Sequence, residues 1–134
     1  MSSRGSVVKK GVISTDEYKT VEVFDNAKII EGIGKNHSMP DYSHSKEAIY
    51  IIEDKNGEFK QMRFYNSNHE SVLEIAYEPE PKLSSTGRDR QTKILHYHVI
   101  SPNGGKFDRS NPIALNKDSN VYKMASKYLR RYNL

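Results

Sequence analysis

The sequence contains no cysteine among its 134 residues. Disulfide bonds and thiolate catalysis are therefore excluded, and the redox compartment is left open. No apolar run approaches the roughly 20 residues that a membrane-spanning helix needs, and no signal-peptide core is present. We therefore expect a cytoplasmic protein with no membrane partner.

Several chemical motifs are also missing. The segment 32–37, Gly-Ile-Gly-Lys-Asn-His, does not match a phosphate-binding loop. At the spacing that such a loop requires, it lacks the second glycine and the Lys-Ser/Thr end. No serine nucleophile motif and no glycosidase carboxylate pair can be identified. The histidines, five in number, are therefore the main candidates for chemistry near neutral pH.

The composition describes a polar chain that can still fold. Hydrophobic residues make up 35% and charged residues 28%, and the length suits one domain. We predict a flexible basic arm over residues 1–13 and a single domain over residues 14–134. The net charge of +4 favours a polyanionic partner such as nucleic acid.

Two runs typical of strands, residues 48–53 and 58–65, flank the dipeptide Asn56-Gly57. Asn-Gly predicts a hairpin because both residues accept positive φ in a type I′ turn. A two-residue loop sets Ile51 opposite Met62, Ile49 opposite Phe64, and Tyr50 opposite Arg63. The apolar pairs then share one face, and the Tyr–Arg pair lies on the other.

A third run, residues 71–77, follows a turn at residues 66–69. Aligning Phe64 with Leu73 keeps the apolar face consistent and places Arg63 across from Glu74.

The next strand-like run, residues 92–100, contains His96 and His98. Their spacing places both histidines on one face of a strand. If Leu95, Tyr97 and Val99 face the core, the histidines share the outer face with Tyr50, Arg63 and Glu74. The opposite parity would turn them inward; the first arrangement is favoured.

The sequence pattern is unclear at the N-terminal end of the domain and clear at the C-terminal end. Ser14 and Glu17 match a capping box that predicts a helix start, whereas residues 18–24 fit neither the helix nor the strand period. Near the C-terminus, Asp118 or Ser119 caps a convincing helix whose apolar face comprises Val121, Met124, Ala125, Tyr128, Leu129 and Tyr132. We predict an α+β fold: a four-stranded, mainly antiparallel sheet, a C-terminal helix packed on one face, and a short N-terminal helix as an option.

The histidine pair allows three interpretations. The first is an ordinary cross-strand surface pair. The second is a zinc site, which needs a third ligand from His37, Asp41, Glu74 or elsewhere, and none lies at a recognisable spacing. The third is metal-free acid–base catalysis, with Arg63 or Arg109 stabilising negative charge. Cleavage of RNA through its own 2′-hydroxyl needs that set and no cofactor, so we favour it.

Five segments in order carry a resemblance to a known family: residues 32–43, 61–65, 73–77, 95–98 and Arg109-Ser110. They resemble a toxin-like domain at the C-termini of phage head-morphogenesis (minor capsid) proteins and bacterial polymorphic toxins. The similarity spans roughly residues 26–132. It implies a nuclease of the barnase–EndoU–colicin–RelE type with a site lined by His37, Arg63, His96, His98 and Arg109.

We therefore predict a metal-independent ribonuclease with no cofactor and no metal ligand. RNA is the expected substrate, contacted by Lys35, Tyr50, Arg88 and Arg90. A cognate immunity protein or a host protein is a further expected partner. The alternative is a non-catalytic phage or mobile-element protein that binds a host defence enzyme or nucleic acid.

Overall fold

The computed structural model describes the backbone of residues 7–9 and 12–14, and complete residues at 18–32 and 39–134. Strands β1 (Val7–Lys9) and β2 (Val12–Ser14) form a separate antiparallel pair, and all of their residues except Ser14 belong to the segment 1–13 that was predicted to be a flexible arm. One large sheet contains β3 (Tyr18–Phe24), β4 (Ala27–Gly32), β5 (Ile49–Glu53), β6 (Phe59–Tyr65), β7 (Ser71–Pro79), β8 (Lys93–Asn103), β9 (Lys106–Arg109) and β10 (Ile113–Ala114). Helix α1 (Asn120–Leu129) follows, and short 3-10 turns lie at Pro81–Leu83 and Arg130–Tyr132.

The large sheet is mixed. Its order is β10-β8-β7-β6-β5-β4-β3, and β9 also pairs with β8. Strands β4 and β5 run parallel, whereas the other neighbours are antiparallel. A parallel pair needs a crossover connection, which here lies between Gly32 and Ile49 in the sequence; the structure describes its residues 39–48.

The predicted α+β fold with a four-stranded sheet is wrong, because the described part of the chain is mostly sheet. It forms one large mixed sheet of eight strands, and its single α-helix is the C-terminal helix that was predicted. The four predicted strands are β5 to β8, at the centre of the sheet. Residues 18–24 form strand β3 and are not helical. No strand period is visible in this segment, because most of its residues are exposed and a bulge between Thr20 and Glu22 breaks the alternation. Strands β9 and β10 are too short to carry a periodic signal. Glu17 of the predicted capping box lies outside the described residues.

The predicted register of the central strands is confirmed. Tyr50 pairs with Arg63, Arg63 pairs with Glu74, and the apolar pairs fall where expected. The type I′ turn is wrong: Gly57 has a φ of +77°, but Asn56 does not have a positive φ. The Asp54 carboxylate instead accepts the N–H groups of Asn56 and Glu58, and a register shift after Ile52 takes up the extra residue.

One face of the sheet forms the main core with helix α1. A row of directly paired residues crosses this face, namely Ile29, Ile51, Met62, Ile75 and Tyr97. Helix α1 begins where predicted, because the Ser119 hydroxyl accepts the Tyr122 N–H at 3.1 Å. Its buried face differs slightly from the predicted one: Tyr122 is buried, whereas Met124 is 50% exposed.

Two methionines test this assignment of the core. Met62 is fully buried, so Met62→Ala should lower the free energy of unfolding by about 2–5 kcal/mol through lost burial and a cavity. Met124→Ala is the matched control and should change it by less than about 0.5 kcal/mol. Urea denaturation measures both, and equal losses would contradict the packing described.

Candidate functional site

A row of polar side chains crosses the other face of the sheet. Tyr50, Arg63, Glu74 and His98 are direct cross-strand neighbours on β5, β6, β7 and β8. His96 lies two residues from His98 on the same face, whereas Leu95 and Tyr97 pack against the helix side. The favoured parity is therefore confirmed for Leu95, Tyr97 and the histidines, but Val99, which was predicted to face the core, is 45% exposed.

This second face is covered, however, and is not the outer surface that was predicted. His96 is 3% exposed, His98 9% and Glu74 1%. The chain returns over the face after residue 38, where Met39 and Pro40 are buried and Tyr42 stacks edge-on against Phe107 of β9, with ring centroids 5.0 Å apart. The interpretation of the histidines as an exposed surface pair is thus wrong.

Arg63 links the sheet to residues 39–44, which cover this face and are called the covering segment below. Its Nε donates to Glu74 Oε1 at 2.9 Å, and its Nη1 donates to Asp41 Oδ1 at 3.0 Å and to the Pro40 carbonyl at 3.2 Å. Burial by itself lowers the pKa of Arg63, but attraction to Glu74 and the hydrogen bonds raise it above its ordinary value. Arg63 therefore stays charged inside the protein.

Two tyrosines support the same segment. The Tyr65 hydroxyl donates to the Pro40 carbonyl at 2.5 Å, and burial raises the pKa of Tyr65 well above its ordinary value. Tyr50, a predicted substrate contact, is fully buried, and its hydroxyl accepts the His44 N–H at 3.0 Å. Their rings lie 5.0 Å apart. Both side chains thus hold the covering segment in place.

Glu74 is shared by two arginines. Arg63 binds one carboxylate oxygen, and Nη2 of Arg109, on strand β9, binds the other. The Arg109 side chain is 47% exposed, so it reaches from the buried carboxylate to solvent. The fold thus brings together three predicted site residues, Arg63, His98 and Arg109, around a carboxylate that was predicted only as the partner of Arg63.

Backbone carbonyls orient both imidazoles. His98 Nδ1 lies 2.8 Å from the Ser110 carbonyl oxygen, and His96 Nδ1 lies 2.7 Å from that of Ile94. A carbonyl oxygen only accepts hydrogen bonds, so each Nδ1 carries a proton, and in the neutral ring the lone pair is on Nε2. The ring centroids are 5.4 Å apart. Each imidazole can therefore accept a proton or bind a metal ion through Nε2.

Glu80 completes a group that the sequence did not indicate. One ring nitrogen each of His96 and His98 and a carboxylate oxygen of Glu80 all lie within 4.8 Å of one another. In the part of the chain that the structure describes, this is the group that can hold a metal ion. Glu80 follows the end of β7 in a loop, where strand spacing gives no signal.

Of the remaining predicted site residues, the structure describes Arg88 and Arg90. Arg88 and Arg90 are exposed in the loop between β7 and β8. Asp89 between them accepts the N–H groups of Gln91 and Thr92, and the bond from Thr92 lowers the pKa of this carboxyl. Lys35 and His37 lie outside the described residues.

Comparison with known proteins gives no assignment. A scan against protein-family models and searches of curated proteins and of solved structures found no match. The resemblance to the toxin-like domain therefore stays a prediction. No helix among the described residues has the length and apolar character needed to cross a membrane.

The buried ion pair should matter for stability. Glu74→Ala leaves Arg63 buried without its main partner and should cost about 3–5 kcal/mol. Glu31→Ala is the control, because the Lys19–Glu31 pair is half exposed or more and should contribute about 0–1 kcal/mol. Urea denaturation at neutral pH compares the two, and similar losses would show that Glu74 is not held as described.

Proposed function

We propose that this domain cleaves RNA through the 2′-hydroxyl of the substrate, without a metal ion. The observation that carries the proposal is the carboxylate of Glu74 held between Arg63 and Arg109 beside His98. These groups can neutralise a phosphate and move protons, which is the chemistry that such cleavage needs. The resemblance to nuclease-type toxin domains supports the same reaction.

Arg109 is the part of this ion-pair group that an anionic ligand can reach. Arg63 and Arg109 carry two positive charges, and Glu74 and Asp41 carry two negative ones, so the group is neutral overall. The Arg109 side chain is half exposed, so its guanidinium presents a positive charge to solvent. A phosphate that approaches from the side of Arg109 would replace water there and meet donors already oriented by Glu74.

The two imidazoles supply the proton-transfer groups. A neutral imidazole with a free Nε2 can take the proton of the 2′-hydroxyl, and an imidazolium can protonate the leaving 5′-oxygen. We assign at least one of these steps to His98 or His96, and His37 is the predicted second group. Arg63 and Arg109 then stabilise the charge that develops on the pentacoordinate phosphorus.

Cleavage of total RNA in EDTA tests this assignment. His98→Ala and His96→Ala should each lower kcat/KM by about 10²–10⁴-fold, because a general acid or base contributes that much. His44→Ala is the matched control, since His44 is exposed and should leave the rate unchanged. Near-UV circular dichroism establishes that the variants fold.

Three results would contradict the proposal. Full activity in both histidine variants would remove the site assignment, and loss of cleavage in EDTA would remove the metal-independent mechanism. Intact RNA together with a tight one-to-one protein partner would favour the non-catalytic alternative, because an inhibitor acts stoichiometrically and an enzyme turns over.

The exposed loop arginines are expected to bind the RNA backbone. Arg88→Ala and Arg90→Ala should raise KM with little change in kcat, because phosphate contacts that take no part in the reaction contribute uniform binding. Each lost contact should reduce the slope of log affinity against log salt by roughly 0.7 for a single strand. Lys123→Ala, an exposed charge change on helix α1, is the control. Equal effects in all three variants would indicate only a dependence on net charge.

A further inference from the structure

We propose that Glu80, His96 and His98 form a binding site for a divalent transition-metal ion of the zinc type, and that metal binding blocks the proposed RNA-cleavage site. The metal site itself rests on geometry and donor chemistry alone. The blocking effect rests on the proposed function, because it needs the same two histidines.

The spacing of the three groups suits a small cation. Zinc lies about 2.0–2.2 Å from nitrogen and oxygen ligands, so ligand atoms of a tetrahedral site are about 3.3–3.6 Å apart. The candidate donor atoms already lie within 4.8 Å of one another. Small side-chain rotations therefore suffice to close them around an ion.

The hydrogen bonds of the histidines have the arrangement found around metal-binding imidazoles. A histidine ligand usually donates its other ring N–H to a carbonyl or carboxylate, which fixes the tautomer and the orientation of the ring. His96 and His98 each do so through Nδ1. The carbonyl that holds His98 is itself fixed, because Ser110 donates its N–H to the Val99 carbonyl and Val99 donates its N–H to the Ser110 hydroxyl.

Glu80 is available as the third ligand. Its carboxylate makes no hydrogen bond or ion pair within the described part of the chain, in contrast to Glu74, which binds two arginines. Pro79 and Pro81 flank it and restrict the backbone on both sides. Its side chain is partly exposed, so an ion can enter from solvent.

The donor set selects the class of ion. Two imidazoles and one carboxylate suit zinc, copper, nickel, cobalt or iron, whereas magnesium and calcium prefer oxygen ligands. Three protein ligands leave at least one position for water or an anion. A bound ion would also occupy the Nε2 lone pairs, so neither imidazole could then accept a proton. Cleavage should therefore stop when the metal binds.

Titration of the EDTA-treated, dialysed full-length chain tests the site directly. Zinc measured by calorimetry and cobalt measured by its visible absorption should bind one ion per chain. Glu80→Gln and His98→Asn should each weaken zinc at least about 10-fold. Glu78→Gln is the matched control, since Glu78 accepts the Gln61 amide and is not a member of the cluster. No binding, or unchanged affinity in Glu80→Gln, would overturn the site.

An activity assay tests the blocking effect separately. Zinc should inhibit the wild type, whereas Glu80→Gln should keep the metal-free rate and need at least about 10-fold more zinc for the same inhibition. Stimulation by zinc, or equal inhibition of both proteins, would overturn the blocking effect. A wild type that binds zinc but leaves RNA intact would support the site and contradict the proposed function, so the two failures are distinguishable.

Discussion

The buried carboxylate of Glu74 is the group on which the rest of the site depends. Removing a carboxylate from water costs several kcal/mol, which is repaid only if its oxygens are well paired. Here Arg63 and Arg109 take one oxygen each, and Arg63 also holds Pro40 and Asp41. One charge therefore ties strands β6, β7 and β9 to the segment that covers the sheet.

The two faces of the sheet differ in composition and in role. The face under helix α1 is mainly apolar and supplies most of the core. The other face is apolar towards β3, where Tyr18, Ile30 and Ile52 are buried, and polar towards β8. The chemical groups therefore project from paired strands in a largely dry environment, which fixes their positions and strengthens their electrostatic interactions.

The histidine tautomers connect the two proposals. An imidazole that donates Nδ1–H to a backbone carbonyl presents Nε2 to a proton or to a metal ion equally well. Glu80 is the residue that favours the metal ion, because its carboxylate lies near the histidines and has no cationic partner among the described residues. Proton transfer and metal binding would then compete for the same lone pairs on His96 and His98.

Local patterns in the sequence determined the centre of this fold. The Asn56-Gly57 signal, the alternation of apolar residues and the Ser119 cap each depend on residues close together in the chain. They predicted the register of β5 to β7, the shared face of the histidines and helix α1, although the predicted turn type was wrong. Only the tertiary structure decided the added edge strands, the parallel pairing of β4 with β5, the burial of the histidine face and the approach of Glu80. These features join segments far apart in the chain, as Arg109 and Glu74 show at a separation of 35 residues. Strand periodicity reports which face a residue takes, but it carries no information about what covers that face.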